Sequence, residues 1–388
     1  MIASSTPENA DREEPLKVVH LSTVHPITDN RIFYKQCLSF AGAGFDTVLI
    51  IPHTADERIE GVQVRALRKP RGRLSRLFLT GPELLGKALK ERANAYHIHD
   101  PELTWVGLVL RLLGRPVVFD MHENLPKQIR SKDWIWPIAR RPISFLVGLI
   151  ERIALPWMHV VFAEVSYAQD YPWIKRSVTV LNLPRLSQLP EPNLESRDKR
   201  GFSVGYIGRL HEDRGAMTML EALALLKEEG MTISCDIVGD GAPKLIQAME
   251  SFCRQNNLQV TLHGPKKSSD GLKIIAANAV GLALLKPIPN YVESYPTKIF
   301  EYMALGIPVV ASDFPLYRSI IDRHTCGICV DAEDVRDVAG AIRRLCQSSE
   351  MRSKYGENGL RAVHTHYSWD EEASKLLTYY RERLLNSR

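Results

Sequence analysis

Along the chain, short apolar runs alternate with stretches in which apolar residues recur every three or four positions. Lys17-Val18-Val19-His20-Leu21-Ser22 reads as a buried strand. Arg31 to Ala43 reads as a helix stopped by Gly44, and Thr47-Val48-Leu49-Ile50-Ile51 as a second strand stopped by Pro52. Strand, helix and strand in that order predict a βαβ unit with a parallel pair. The alternation continues with strands at Ala95–His99, Pro116–Asp120, His159–Ala163 and Ser177–Leu181. An apolar helix runs from Leu103 to Leu113, ended by Gly114, and another lies within 142–155.

Asn182 to Arg200 carries three prolines and no apolar period, which marks a linker. A second series follows. Ser203–Ile207, Ile233–Val238, Val260–Leu262, Val280–Leu285 and Pro308–Ala311 predict strands. Ala216–Lys227, Leu245–Arg254, Ile299–Leu305, Val335–Cys346 and Trp369–Leu385 predict helices. The expected architecture is α/β: two consecutive doubly wound, Rossmann-like domains at 16–182 and 201–366, joined by a linker at 183–200. A disordered leader at 1–15 precedes them and a C-terminal helix at 367–388 follows. In such sheets ligands bind beyond the carboxyl ends of the strands, and a cleft between two facing domains is the expected site.

Composition narrows the class. Of 388 residues, 45% are hydrophobic and 24% charged, which excludes wholesale disorder and collagen-like structure. Six cysteines are too few for a disulfide scaffold of this size and read as reduced thiols of a cytosolic protein. The start, MIASSTPENADREEP, has neither a basic nor an apolar region of a secretory signal. The longest apolar stretch, Pro142 to Ala163, is interrupted by Glu151 and Arg152; two charges near a bilayer centre are costly, so a buried helix is expected rather than a membrane span.

The net charge of +5 sits in the first half: residues 1–182 hold 24 Lys+Arg against 19 Asp+Glu, and residues 183–388 hold 26 of each. Nine basic residues between Arg65 and Arg92 face only Glu83 and Glu91. This density suits an anionic membrane or an anionic substrate, or a solvated face.

The first strand leads into Ser22-Thr23-Val24-His25-Pro26, without the GxGxxG of a dinucleotide site, so a nicotinamide cofactor is not expected. Cys326-Gly327-Ile328-Cys329 has metal or redox spacing but no second pair; His97/His99 and His364/His366 show no carboxylate or cysteine to complete a set. No metal is expected.

The richest constellation is Glu293-Ser294-Tyr295-Pro296-Thr297-Lys298-Ile299-Phe300-Glu301-Tyr302-Met303-Ala304. Pro296 suits the first turn of a helix, whose free N–H groups favour an anion. Thr297 adds a hydroxyl and Lys298 a charge, and Glu301 stands one turn on, where a carboxylate accepts from sugar hydroxyls. The pattern fits a nucleotide sugar; read alone, it fits a capped surface helix as well. In Gly205-Tyr206-Ile207-Gly208-Arg209-Leu210-His211-Glu212-Asp213-Arg214-Gly215, Gly208 admits an anion to the backbone, and Arg209 and Arg214 suit two phosphates or a plain surface. Val238-Gly239-Asp240-Gly241 is a strand end and glycine turn.

Together these blocks resemble the donor domain of glycosyltransferase family 4, retaining enzymes of GT-B fold. The likeness rests on Gly208-Arg209-x4-Arg214-Gly215, Val238-Gly-Asp-Gly241, Glu293-x7-Glu301, and Glu301-Tyr-Met-Ala-Leu-Gly-Ile-Pro-Val-Val-Ala-Ser312. The first domain resembles one branch of that family in His25-Pro26-Ile27-Thr28-Asp29-Asn30-Arg31-Ile32-Phe33, His99-Asp100-Pro101-Glu102-Leu103 and Phe119-Asp120-Met121-His122-Glu123-Asn124. Asp331-Ala332-Glu333 faintly resembles the metal-binding DxD of another glycosyltransferase fold but follows a late strand and is discounted.

The resemblance implies a donor site made of Gly208, Arg209, Arg214, Gly239, Gly241, Thr297, Lys298 and Glu301. Arg209 and Arg214 would hold the diphosphate, Arg214 standing where the family usually has lysine, and Glu301 would hold the ribose. Glu293 and His122 would lie near the donor sugar, and catalysis would fall to His122, Glu293, Arg209 and Lys298. Asp29, Arg31, His99 and Asp100 would contact the acceptor. For His122, and equally for His99 and Asp100, a structural role is the competing expectation. Tyr367-Ser368-Trp369 and its helix look like the GT-B tail that returns to the first domain.

The implied activity is metal-independent, cofactor-free, retaining transfer from a nucleotide-diphosphate sugar to a hydroxyl. The expected acceptor is a lipid-linked glycan of surface polysaccharide assembly at the cytoplasmic face of an anionic membrane. Nucleic acid is not an expected partner. The alternatives are a GT-B nucleotide-sugar epimerase and a non-catalytic nucleotide-sugar binding protein.

Overall fold

The computed structural model describes residues 15–72, 75–131, 135–192 and 201–385. Residues 1–14 of the expected leader and 193–200 of the expected linker lie outside this range. The chain divides into two compact units. The first takes the described residues up to Ala163, Tyr167–Val180 and the segment from Ala373; the second takes Glu164–Ser166 and Leu181–Glu372.

The first unit is built on an eight-stranded sheet in the order β3-β4-β2-β1-β5-β6-β7-β8. Its strands are β1 (Lys17–Leu21), β2 (Asp46–Pro52), β3 (Glu57–Ile59), β4 (Val62–Leu67), β5 (Ala95–Ile98), β6 (Val117–Met121), β7 (His159–Phe162) and β8 (Ser177–Thr179). Only β3 runs antiparallel, on the edge. β1 pairs Val19 with Val48 on one side and with Tyr96 on the other. It is buried from Val18 onward, His20 included, as expected of a central parallel strand covered on both faces. Leu84 and Ala88 of the Gly81–Glu91 helix and Val106 and Leu110 of the Thr104–Leu112 helix complete the core above Val19, Leu21 and Ile98.

The second unit carries a six-stranded, wholly parallel sheet in the order β11-β10-β9-β12-β13-β14. These strands are β9 (Ser203–Ile207), β10 (Ser234–Val238), β11 (Val260–Gly264), β12 (Val280–Ala283), β13 (Val309–Ser312) and β14 (Gly327–Val330). Counted from β9, the order is that of a dinucleotide-type Rossmann sheet, which reverses direction between β9 and β12. The expected α/β class and paired Rossmann-like sheets are therefore present.

Several elements were not legible. β3 precedes the basic run, and the end of β4 and the Gly81–Glu91 helix lie within it. The run is thereby partly neutralised: Arg65 Nε donates to Glu91 Oε1 at 2.8 Å, Arg76 Nε stands 2.8 Å from Glu102 Oε1, and Lys87 bonds the Ala66 carbonyl. Arg73 lies outside the described residues. The helices Ser268–Ala276, Pro315–His324 and Ser349–His366 were also not foreseen.

The largest correction concerns 142–163. The helix there, Pro137–Ala154, was expected to be buried; instead it turns Ser144, Glu151 and Ala154 inward and its large apolar residues outward. Among the described residues no helix is long and apolar enough to cross a membrane.

The C-terminal helix, Trp369–Tyr379 with further turns Tyr380–Leu385, begins in the second unit, where the Trp369 amide donates to the Pro184 carbonyl at 2.8 Å. Its later residues belong to the first unit. Tyr380, fully buried, places its hydroxyl 2.8 Å from His97 Nδ1, and Tyr379 its hydroxyl 2.8 Å from His159 Nδ1.

Candidate functional site

In each unit the sequence-derived candidates gather at the carboxyl ends of strands beside the point where the strand order reverses, the place where such sheets bind ligands. Each site is built from its own unit's elements.

In the second unit, β9 ends at Ile207 and the chain turns at Gly208, whose φ of 137° belongs to the region that favours glycine. The Gly208 amide donates to the Val238 carbonyl at 2.9 Å, and Leu210 pairs with Gly241. A Cβ on Gly239 would collide with the Gly208 carbonyl oxygen, and one on Gly241 would stand 2.8 Å from the Leu210 Cβ. Gly239 and Gly241 thus owe their identity to the backbone they press against, and this contact sets the loop that carries Gly208, Arg209 and Leu210.

The Thr297–Ala304 helix faces that loop. Pro296 is its N-cap rather than a first-turn residue. Tyr302, fully buried, accepts from the Ile207 amide at 3.2 Å and donates to the Leu282 carbonyl at 3.1 Å, so it bolts the helix to β9 and β12. Gly281 leaves room for the Tyr302 ring. Phe300 and Met303 fill the core below.

That anchoring fixes Lys298, which is 8% exposed. Its ammonium sits 3.9 Å from the centre of the Tyr206 ring, and its Nζ is 3.3 Å from where a Cβ on residue 208 would stand. The Nζ has no hydrogen-bond partner among the described residues. Burial, with help from the Arg214 charge and against the pull of Glu301, pushes its pKa down to about 7. Arg214 is held by Tyr291: its Nε donates to the phenolic oxygen at 3.2 Å and its guanidinium lies 5.5 Å over the ring. Gly215, at φ 67°, ends the turn and starts the Ala216–Glu228 helix. Gly208, Arg214, Lys298 and Glu301 therefore share one electrostatic environment. Thr297 is half-buried beside Lys298, while the side chains of Arg209 and Glu293 are exposed. The aromatic face attracts the buried cation, and the glycine backbone beside it leaves that cation open to an anion.

In the first unit the residues at the strand ends form a buried hub around Asp120, at the end of β6. Arg31 grips it with two bonds, Nη2 to Oδ1 at 2.7 Å and Nε to Oδ2 at 3.1 Å, and donates a third to the Val180 carbonyl at 3.1 Å. Gln36 donates to Oδ2 at 2.6 Å. His99 Nδ1 and His122 Nε2 each stand 3.3 Å from the same oxygen. His99 Nε2 meets His20 Nδ1 at 3.0 Å, and the imidazoles of His20, His97 and His99 stack.

Burial pushes His20 and His97 well below the ordinary histidine value. Burial also takes His122 down to about 3, against the attraction of Asp120. Burial opposes ionisation of Asp120, but Arg31 and then His122 and His99 outweigh it and hold the carboxyl well below its usual range. The hub is one ion pair, Arg31 with Asp120, surrounded by imidazoles.

The expected acceptor contacts have other work. Arg31 and His99 are buried and spent inside the hub. Asp100, also buried, accepts from the Thr23 and Val24 amides and from Ser22 and Thr23 hydroxyls, and so shapes the loop after β1. Asp29 caps the Asn30–Cys37 helix, accepting from the Arg31 and Ile32 amides at 2.9 and 2.8 Å. Burial opposes its ionisation, and the His25 and Ile32 bonds still take its pKa down to about 2. Arg31, His99 and Asp100 are thus buried behind the surface, while Asp29 keeps 23% of its side chain exposed. His122, 21% exposed in its side chain, is the member of the hub that reaches the surface.

The expectation that no carboxylate completes the His97/His99 pair is also corrected. Asp120, His122 and His20 join it, in two groups close enough for a metal. The chemistry of the donors speaks against that use: Asp120 already accepts from a guanidinium and an amide, and a cation there would stand against Arg31. Sequence reading missed His20, Gln36 and Asp120. The signal was there, since a charged residue ending a buried parallel strand needs a partner.

Comparison with known proteins agrees with this arrangement. The family profile described as "Glycosyl transferases group 1" matches residues 191–362, and "Glycosyl transferase 4-like domain" matches residues 30–170. A phosphatidyl-myo-inositol mannosyltransferase of Mycobacterium leprae is 26% identical over 74% of this chain and 73% of its own length. An alpha-D-kanosaminyltransferase of Streptomyces kanamyceticus is 27% identical over 71% of this chain and 72% of its own. Among solved structures, sucrose-phosphate synthase from Thermosynechococcus elongatus superposes with a TM-score of 0.74, covering 96% of this chain and 100% of that one at 19% identity. HepE of Anabaena in complex with UDP and glucose gives 0.70, covering 94% and 99% at 13%. The twin parallel sheets, the donor-type motifs in order along the second and the matching profiles on both lead to one assignment: the chain is a glycosyltransferase of GT-B fold and belongs to glycosyltransferase family 4.

Proposed function

We propose that this enzyme transfers a sugar, with retention at the anomeric carbon, from a nucleotide-diphosphate sugar to a hydroxyl of a lipid-linked glycan at an anionic membrane face, in surface polysaccharide assembly. The observation that carries the reading is Lys298: a buried ammonium without a hydrogen-bond partner, beside the Gly208 backbone and within reach of the Arg214 charge. A diphosphate supplies the missing acceptor. In transfer the bond from anomeric carbon to diphosphate oxygen breaks and the acceptor oxygen takes that carbon on the same face, its proton passing to the departing phosphate. Lys298, Arg214 and the exposed Arg209 offset the charge that develops on the leaving group. Glu301 takes the ribose hydroxyls, and Glu293 and His122 attend the sugar. With cations of the chain in this role, neither a metal nor a cofactor is required.

Relatives support the substrate class. HepE has been solved with UDP-glucose, and WaaG is described as a glycosyltransferase of lipopolysaccharide biosynthesis. A capsular polysaccharide glycosyltransferase of Staphylococcus aureus is 22% identical over 47% of this chain.

A thermal-shift screen of nucleotide diphosphates and their sugars tests the reading, because a ligand bound by the native state alone raises the melting temperature by mass action. The cognate donor should stabilise the protein in the presence of a chelator, and Lys298→Met should abolish the shift. No shift with any of them, or an undiminished shift in the variant, overturns it.

A further inference from the structure

The helix Pro137–Ala154 is inside out for a protein in water. Ser144 and Glu151 face the interior, where the Glu151 carboxylate accepts from the Tyr171 hydroxyl at 2.8 Å and the Ser144 hydroxyl bonds the Pro126 carbonyl at 2.8 Å. Ile138, Phe145, Leu146, Leu149, Ile150 and Ile153 face out, with Ile138 84% and Phe145 74% exposed. Spacings of three, four and seven residues place them on one stripe. Trp136 and Trp157, 80% and 58% exposed, close its two ends. The stripe follows an 18-residue helix and is about 27 Å long.

From residue 136 to 157 the only polar side chains besides Ser144 and Glu151 are Arg140, Arg141 and Arg152. Since both of the former are buried, the outward surface offers cations, aromatic rings and alkyl groups, with no exposed carboxylate, amide or hydroxyl. The preceding helix, Leu125–Ser131, packs against it; its Lys127 pairs with Asp170 at 2.7 Å and its Arg130 donates to the Ser144 hydroxyl at 3.1 Å. A surface that is apolar and otherwise only cationic, with tryptophans at its margins, matches the boundary between headgroups and acyl chains of an anionic bilayer.

We infer that the outer face of the Pro137–Ala154 helix is the membrane-docking surface of this enzyme, entering the interface of an anionic bilayer side-on with Phe145 and Ile153 among its inserted residues. The inference rests on the lipid-linked acceptor proposed above and locates where the lipid is met. It displaces the basic run at 65–92, whose Arg65, Arg76 and Lys87 are bound within the fold. Docking is reversible, since one helix lying in the interface holds far less strongly than a span.

The full chain is floated with vesicles of phosphatidylcholine containing about one third phosphatidylglycerol, and with phosphatidylcholine alone. The wild type should float with the mixed vesicles and much less with the neutral ones. Phe145→Glu/Ile153→Glu should reduce the bound fraction about tenfold or more. Both side chains are exposed, so its melting temperature and its thermal shift with the nucleotide diphosphate should match the wild type. Lys69→Glu/Arg71→Glu should float normally.

Wild type that stays in solution, or a Phe145→Glu/Ile153→Glu variant that still floats, overturns the inference. So does size-exclusion evidence that the stripe is covered by a second copy: a wild-type dimer that the variant converts to a monomer, without vesicle binding. These outcomes leave donor binding intact. Loss of the diphosphate shift in the wild type is instead the failure of the proposed function.

Discussion

Asp120 and Arg31, 89 residues apart, meet in a buried two-bonded ion pair at the end of β6, and the imidazoles of His97, His99 and His122 stand within 4.0 Å of the Asp120 carboxylate. Asp120→Asn leaves Arg31 buried without its counter-charge, at a cost of about 3–5 kcal/mol. The double variant Asp120→Asn/Arg31→Met should recover part of that loss, because the uncompensated charge goes with it. A thermodynamic cycle by denaturant unfolding reads the coupling. Additive losses would mean the pair does not act as a unit. Because the folded pKa of Asp120 lies below its unfolded value, its contribution is present above about pH 4 and is lost as the pH falls through the folded value. Asp120→Asn should therefore flatten the acid limb of the stability curve.

Lys298 is placed for binding at the expense of stability. An ammonium that is buried without a hydrogen bond destabilises the free protein. Lys298→Met keeps the length and packing of the side chain without the charge. The variant should be more stable than the wild type by about 1–3 kcal/mol and should lose nucleotide-diphosphate binding. A merely structural lysine would give a loss of stability and no change in binding. Calorimetry on both proteins, with and without UDP, separates these outcomes.

The sequence made the frame of both units legible wherever a strand is covered on two faces. Ser203–Ile207 appears as predicted, and Lys17–Leu21 within a residue, because most positions of a strand covered on both faces are apolar. The region from 52 to 94 was opaque because β3 and β4 form an edge hairpin whose alternating pattern is masked by arginines that pair within the fold. The Ser349–His366 helix was opaque because two of its buried positions are Gly356 and Gly359, which carry no hydropathy signal. In the second unit Gly208, Arg214, Lys298 and Glu301 stood out in the sequence as separate motifs, and the structure brings them together. In the first, Arg31, His99 and Asp100 were readable as important but not as buried, since a charge in a sequence does not show its partner. For the same reason the 142–163 stretch looked like core: hydropathy records what a side chain prefers and not whether anything covers it.

Gly239→Ala tests whether the glycine turn after β10 acts through its neighbour. A Cβ there would meet the Gly208 carbonyl oxygen, so the two loops must part or the 208 turn must rotate. The expected cost is about 1–3 kcal/mol of overpacking strain, read by denaturant unfolding. Because the Gly208 amide is held by Val238, the shift carries to the backbone beside Lys298, and nucleotide-diphosphate affinity should fall even though residue 239 lends no side chain to the ligand. Gly230→Ala is the control, since a Cβ there has open space. Its φ of 84° brings backbone strain alone, and affinity should be unchanged. Loss of affinity in both variants would show that general destabilisation, not the loop contact, is responsible.

The depressed pKa of Lys298 makes binding of the diphosphate a proton-coupled event. In the free protein the amine is held near 7 by burial first and by Arg214 second, so at pH 8 it is mostly neutral. An anion against it reverses the balance and draws a proton from solution. Titrations of UDP at pH 8 in buffers of different ionisation enthalpy should show uptake approaching about one proton per site. At pH 6, where the amine is already charged, uptake at this group should vanish and affinity should be higher. The sign follows from the order of the two values: the bound pKa exceeds the free one, so affinity falls as the pH rises between them. In Lys298→Met this component of the uptake should be absent at both pH values. Proton release at pH 8, or uptake that survives the substitution, would place the coupling on another group.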